Sequence, residues 1–93
     1  MRRLLWGRTA LRDLDRIVDE YEAIDPRLGR RLLARILDVP LVLLEHPALG
    51  SPTRRRGIRK WNARATPFML FYAITGDDIE IRRVRHNRSD VER

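Results

Sequence analysis

An α+β fold, ordered as strand, antiparallel helical hairpin and three-stranded antiparallel meander (β-α-α-β-β-β), is what this chain of 93 residues predicts. Three observations carry that expectation. Two stretches repeat apolar residues at spacings of three and four and are joined by a very short link at Asp25-Pro26. The run Phe68 to Ile74 is apolar on both of its alternating phases. Short strand-like segments bounded by turn residues stand before and after these features.

The first segment, Arg3 to Trp6, is apolar and stopped by Gly7, which suggests a strand. Thr9 then has the side chain of an N-cap, since its hydroxyl can accept from an unpaired amide of the first turn. Leu11, Leu14, Ile17 with Val18, Tyr21 and Ile24 form one apolar helical face, and Arg12, Asp15, Arg16, Asp19 and Glu20 mark the wet side. Asp25 caps the second helix, and Pro26 suits the first helical position because it has no amide hydrogen to leave unpaired. Leu28, Leu32, Ile36, Val39 and Leu43 continue the apolar stripe. Pro40 removes one backbone bond and clashes one turn back, so a kink between Ile36 and Pro40, or an early end followed by a new turn, is expected. Pro47 and Gly50 close the segment.

Ser51 to Arg56 reads as a polar, basic loop and Ile58 to Trp61 as a strand. In the next strand Phe68, Leu70, Tyr72 and Ile74 point one way and Met69, Phe71 and Ala73 the other, so it should be central and covered on both faces. Thr75-Gly76-Asp77-Asp78 is a hairpin turn. Ile79 and Ile81 open the last strand, but Val84 falls on the opposite phase. A bulge near Arg82-Arg83 would bring it back into line. The polar tail Asn87 to Arg93 is expected to fray.

Composition narrows the class. Residues 1–93 fit a single domain, and 43% apolar content supports one modest core. The apolar stretch Leu41 to Leu44 is far too short for a membrane span, and the basic start lacks the long apolar region of a signal peptide, so a cytoplasmic protein is expected. With no cysteine, stability must come from packing. Net charge is +7; Lys60 is the one lysine and the other 19 basic residues are arginines. A GC-rich genome favours arginine over lysine without removing the charge. A surface this basic suits nucleic acid or an acidic protein. No residue set has metal-ligand spacing and no Gly-rich loop precedes a helix, so neither a metal nor a nucleotide cofactor is expected.

Several motifs in order resemble the RelE/ParE toxin superfamily of type II toxin–antitoxin systems, closer to its ParE-like branch. Trp6, Ala10, Asp13-Leu14, Ile17 and Tyr21 match W-x3-A-x2-DL-x2-I-x3-Y. Leu44 to Gly50 resembles L-x2-P-x2-G, and Gly57-Ile58-Arg59 resembles G-x-R. Phe71-Tyr72, then Ile79-x-Ile81 and Val84-x-His86-x-Arg88, resemble the closing Y…I-x-I…V-x-H-x-R. Each motif is weak alone; the ordered set covers nearly the whole chain. The resemblance implies a growth-inhibiting toxin in a hetero-oligomer with a cognate antitoxin, whose acidic C-terminal segment would suit this basic chain.

Two chemistries share that fold. ParE-like members resemble inhibitors that bind DNA gyrase; RelE-like members cleave mRNA on the ribosome as endoribonucleases. On the nuclease alternative the catalytic candidates are Arg59, His86 and Arg88: histidine as acid or base, the arginines on phosphate. Arg54, Arg55, Arg56, Arg83 and Arg85 are candidates for contacting antitoxin or phosphate. The resemblance also weighs against a nuclease: RelE-like members often carry a basic residue in the third strand and a tyrosine close to the C-terminus, whereas here Phe68 to Tyr72 has no basic residue and Ser89 to Arg93 no tyrosine. A third class, a basic nucleic-acid-binding module without toxicity, stays open. Plainer roles stand beside these: His86 as a structural histidine, Arg54 to Arg56 as a solvated loop, Trp6 and Trp61 as packing aromatics, and Tyr72 as a core residue with its hydroxyl near a rim.

Overall fold

A computed structural model describes residues 1–88. The elements run β1 (Leu4–Trp6), α1 (Arg8–Ile24), α2 (Pro26–Asp38), a 3-10 helix (Val39–Leu44), β2 (Ser51–Pro52), β3 (Arg59–Asn62), β4 (Phe68–Thr75) and β5 (Asp78–His86). They build one five-stranded sheet, ordered β1-β5-β4-β3-β2. β1 runs parallel to β5, and every other pair is antiparallel. The α+β class and the expected element order hold, with one strand more than the sequence suggested. That addition, β2, pairs Ser51 with Lys60 and Pro52 with Arg59. Pro52 cannot donate to a further strand, so β2 is a blunt edge.

The chain enters α1 without the expected Thr9 cap. The Gly7 amide donates to Ile81 O at 2.9 Å while Gly7 O accepts from Leu11 N at 3.0 Å. Gly7 is therefore the last residue held by the sheet and also the cap residue of the helix, and Thr9 lies inside the first turn. Ala10, Leu14 and Ile17 are buried, but Leu11 and Ile24 are exposed at 46% and 77%. These two residues of the expected stripe sit outside the covered arc. Asp25 caps α2 as expected, its carboxylate accepting from Arg27 N at 3.0 Å. Leu28 lies at the solvent margin, while Ile36 and Leu43 are fully buried. At Pro40 the helix does not kink through. It ends at Asp38 and tightens into the 3-10 segment.

The core joins Ala10, Leu14, Ile17, Ile36 and Leu43 to Leu70, Tyr72, Ile79, Ile81 and Val84. β4 is the central strand, as expected, but it is not covered on both faces. Phe68, Leu70 and Tyr72 are buried under the helices; on the opposite face Ala73 is buried, whereas Met69 and Phe71 are half-buried. Arg85 is the cross-strand partner of Met69, and Lys60 and Arg83 flank Phe71. Among the described residues no second helical layer lies over that row. The expected bulge is present: Phe71 pairs with Arg83 and Tyr72 with Ile81, leaving Arg82 as the extra residue. This brings Val84 onto the core face. Gly76 takes φ +61° at the first central position of the β4–β5 turn. The polar tail, apart from a turn at Asn87 and Arg88, lies outside the described residues.

Gly50 has no room for a side chain. A Cβ there would sit 2.7 Å from both Lys60 O and the Tyr72 ring. Gly50→Ala is expected to cost about 1–3 kcal/mol through overpacking, measured by urea unfolding. Unchanged stability would mean that the loop swings clear of Tyr72.

Candidate functional site

β5 carries most of the candidate side chains, and one carboxylate on α1 sets their arrangement. Asp13 is 2% exposed. It falls in the apolar phase of its helix, between Ala10 and Leu14. Its Oδ2 accepts from Arg83 Nε at 2.8 Å and from Val84 N at 3.0 Å, and its Oδ1 from Arg83 Nη2 at 3.3 Å. Arg16 Nη2 stands 3.7 Å away. Burial pushes the Asp13 carboxyl up. The bonds from Arg83 and Val84, with the charges of Arg83 and Arg16, outweigh that and hold it below its ordinary value. The Arg83 guanidinium is stabilised in turn by the Asp13 bond. Sequence reasoning missed this residue. Its signal was an acidic side chain on the i, i+3, i+4, i+7 template of the core face.

Beyond Arg83, Arg85 is exposed and His86 half-buried. The His86 ring meets the edge of Phe68 at 5.4 Å, and its Nδ1 accepts from Arg88 N at 3.1 Å. A cleft of about 380 Å³ opens here between α1 and β5, with Arg16, Tyr21, Arg83, Arg85 and His86 among its walls. Glu20 also lines it and offsets part of the positive charge.

Arg59 is elsewhere. It pairs across the sheet with Tyr72, whereas His86 pairs with Phe68. The four-residue offset along β4 is about 13 Å, and β4 itself lies between the two strands. The Arg59 Nη1 donates to Gly50 O at 2.6 Å and lies 3.5 Å from Ala48 O. The Tyr72 hydroxyl donates to Pro47 O at 2.7 Å and accepts from Gly50 N at 2.8 Å. Burial raises the Tyr72 phenol above its ordinary value, against the Gly50 bond and the Arg59 charge. Together these two side chains clamp the 47–50 loop. The three catalytic candidates are thus not brought together: His86 and Arg88 are neighbours and Arg59 belongs to a structural clamp. Tyr72 is a core residue, as expected, but its hydroxyl is engaged inside.

Arg54, Arg55 and Arg56 are exposed in the loop joining β2 to β3. Thr53 orders that loop, its hydroxyl accepting from Arg55 N at 3.1 Å and donating to Ile58 O at 2.9 Å. Gly57 turns the chain at φ +80°. Trp6 and Trp61 are half-buried against the core.

The family described as "ParE toxin of type II toxin-antitoxin system, parDE" matches residues 4–91. The chain is 36% identical over 85 residues to the candidate toxin Y4kP of Sinorhizobium fredii (strain NBRC 101917 / NGR234), covering 91% of this chain and 88% of that relative. Its fold is similar to a structure of the chromosomal ParDE TA system from P. aeruginosa. The TM-score is 0.82 with 27% identity, covering 92% of this chain and 96% of that one. It is also similar to a chain of the toxin–antitoxin complex RelBE2 from Mycobacterium tuberculosis, with TM-score 0.64 and 28% identity over 89% and 94% of the two chains.

Asp13 gives a signed expectation for pH. A carboxyl held low in the folded state contributes stability above its unfolded value near ~4 and loses it as pH falls through the folded value. Asp13→Asn should cost about 2 kcal/mol near neutrality, and its deficit relative to the parent should shrink as the solution is acidified. Urea unfolding of both proteins across the acid range checks this. A deficit that stays constant with pH would remove Asp13 as the titrating anchor.

Proposed function

The chain belongs to the ParE toxin family of type II toxin–antitoxin systems, and from that premise we propose that it arrests growth by binding DNA gyrase rather than by cutting RNA. The observation that supports this most is the fate of Arg59. Its guanidinium is committed to Gly50 O inside the clamp, a β4 width away from His86. Nuclease chemistry needs an acid, a base and phosphate ligands converging on one phosphodiester. Arg59, His86 and Arg88 do not converge. β4 also offers no basic residue from Phe68 to Thr75.

A cognate antitoxin is the partner we assign in the resting state, with acidic residues facing this chain's positive charge. The structural neighbour RelBE2 of Mycobacterium tuberculosis is a toxin–antitoxin complex. Arg85, with the part of Arg83 that remains accessible, forms the basic margin at the β5 cleft that such a segment would meet. Among the described residues no helix is long and apolar enough to cross a membrane, and we place the toxin in the cytoplasm, where gyrase works. The RelE-like reading keeps one specific support: His86 stands beside Arg85 and Arg83 at an open cleft.

Purified chain added to a gyrase supercoiling reaction is expected to inhibit it. Added to a ribosomal translation reaction it should leave the message intact. His86→Ala should alter gyrase inhibition by less than about twofold, whereas removing a true acid–base group would cost about 100-fold or more. Message cleavage that His86→Ala abolishes, with supercoiling untouched, would replace this reading by the ribonuclease one.

A further inference from the structure

The end of β4 remote from His86 carries a second cleft, also about 380 Å³, between the β2–β3 loop and the strand. Arg55, Arg56 and Arg59 line it, and Pro52, Ile58 and Ile74 supply apolar surface. Among the described residues no acidic side chain lines it. Ile74 is 42% exposed although Phe68, Leu70 and Tyr72, on the same alternation of β4, are buried. The apolar face of the strand thus runs on past the helices and surfaces inside a ring of guanidinium groups. Among the described residues none of Arg55, Arg56 and Arg59 is ion-paired. The loop is ordered before any partner arrives: Thr53 N donates to Ile58 O at 3.0 Å and Ile58 N to Arg55 O at 3.1 Å. Little conformational freedom is left to lose on binding.

Charge alone would fit a nucleic-acid backbone as well as an acidic polypeptide. The aliphatic floor separates them. A sugar–phosphate chain would engage the arginines and leave Ile58 and Ile74 without a counterpart. A peptide with an aliphatic side chain between carboxylates would satisfy both kinds of surface. We infer that this cleft seats an acidic segment of a protein partner through one aliphatic anchor, flanked by carboxylates on Arg55 and Arg56. The inference rests on the reading above that a neutralising protein is the partner.

Fluorescence anisotropy with the full chain tests it. One probe is a labelled peptide of Glu-Asp-Leu repeats, the second the same peptide with Ser for Leu, the third an oligothymidylate of equal charge. The leucine peptide should bind about tenfold tighter than the serine peptide and tighter than the oligonucleotide. The double variant R55E/R56E should lose binding about tenfold or more, and Ile74→Ser should erase the preference for leucine while circular dichroism stays unchanged. Equal binding of the two peptides, no binding of either, an oligonucleotide that binds as tightly, or a leucine preference that survives Ile74→Ser would each overturn the assignment. Dimers of the chain alone that R55E/R56E breaks would overturn it in favour of a second copy as occupant. Failure of the gyrase assay with peptide binding intact would remove the target and leave this cleft standing. Intact gyrase inhibition with failed peptide binding would do the reverse.

Discussion

The tie between Asp13 and the bulged part of β5 fixes where everything else sits. β1 pairs with β5 only as far as Ile81, and the chain then leaves the sheet at Gly7 to become α1. Beyond Ile81, β5 has β4 on one side and no strand on the other among the described residues. The Val84 amide on that bare side needs an acceptor, because a buried N–H without one costs free energy. The helix that replaced the strand brings Asp13 to it. A carboxylate buried this deeply needs its charge answered, and Arg83 supplies the answer from the same strand. One side chain thus seals an open sheet edge, fixes α1 against β5 and orients an arginine of the cleft.

A second constraint operates at the other end of β4. The Tyr72 hydroxyl and the Arg59 guanidinium take the carbonyls of Pro47 and Gly50 and the Gly50 amide. This secures the connection from the 3-10 helix to β2, and Gly50 fits because it presents no Cβ to the ring. The two anchors divide the arginines by role. Arg83 and Arg59 are held by internal acceptors. Arg55, Arg56 and Arg85 point their charge outward. Arg55 and Arg56 thus place accessible positive charge near one end of the central strand and Arg85 near the other, each time beside apolar surface.

What the sequence disclosed follows the range of the interactions concerned. The stripes of α1 and α2, the Asp25-Pro26 start and the Gly76 turn depend on neighbours in the chain, and they were legible. So was the bulge, because Ile81 and Val84 could not share a face without it. Thr9 was misread as a cap because the Gly7 amide is taken by Ile81, a partner 74 positions away. Leu11 and Ile24 fit the spacing of the α1 stripe, but spacing does not show how wide an arc the rest of the fold covers, and both stay exposed. β2 owes its existence to Lys60 and Arg59 across the sheet. Met69 and Phe71 suggested a second covering layer, which none of the described elements supplies. Arg59 read as a phosphate ligand because sequence shows a charge and not the carbonyl that occupies it.

The same distinction bears on mechanism within a family whose fold serves more than one chemistry. An arginine acts on a phosphodiester or on a partner's carboxylate only with the donors its own protein has not used. Net charge counts Arg59, Arg83 and Arg55 equally; their hydrogen bonds do not. Once the internal acceptors are served, the donors left at the two clefts border partly apolar surface and do not converge on a point. A surface of that kind grips an extended polypeptide by charge at its margins and by aliphatic contact between them. Bond cleavage asks for the opposite arrangement, with few groups at short range around one reacting atom. The way this chain spends its arginines on holding its own fold together therefore favours recognition over catalysis.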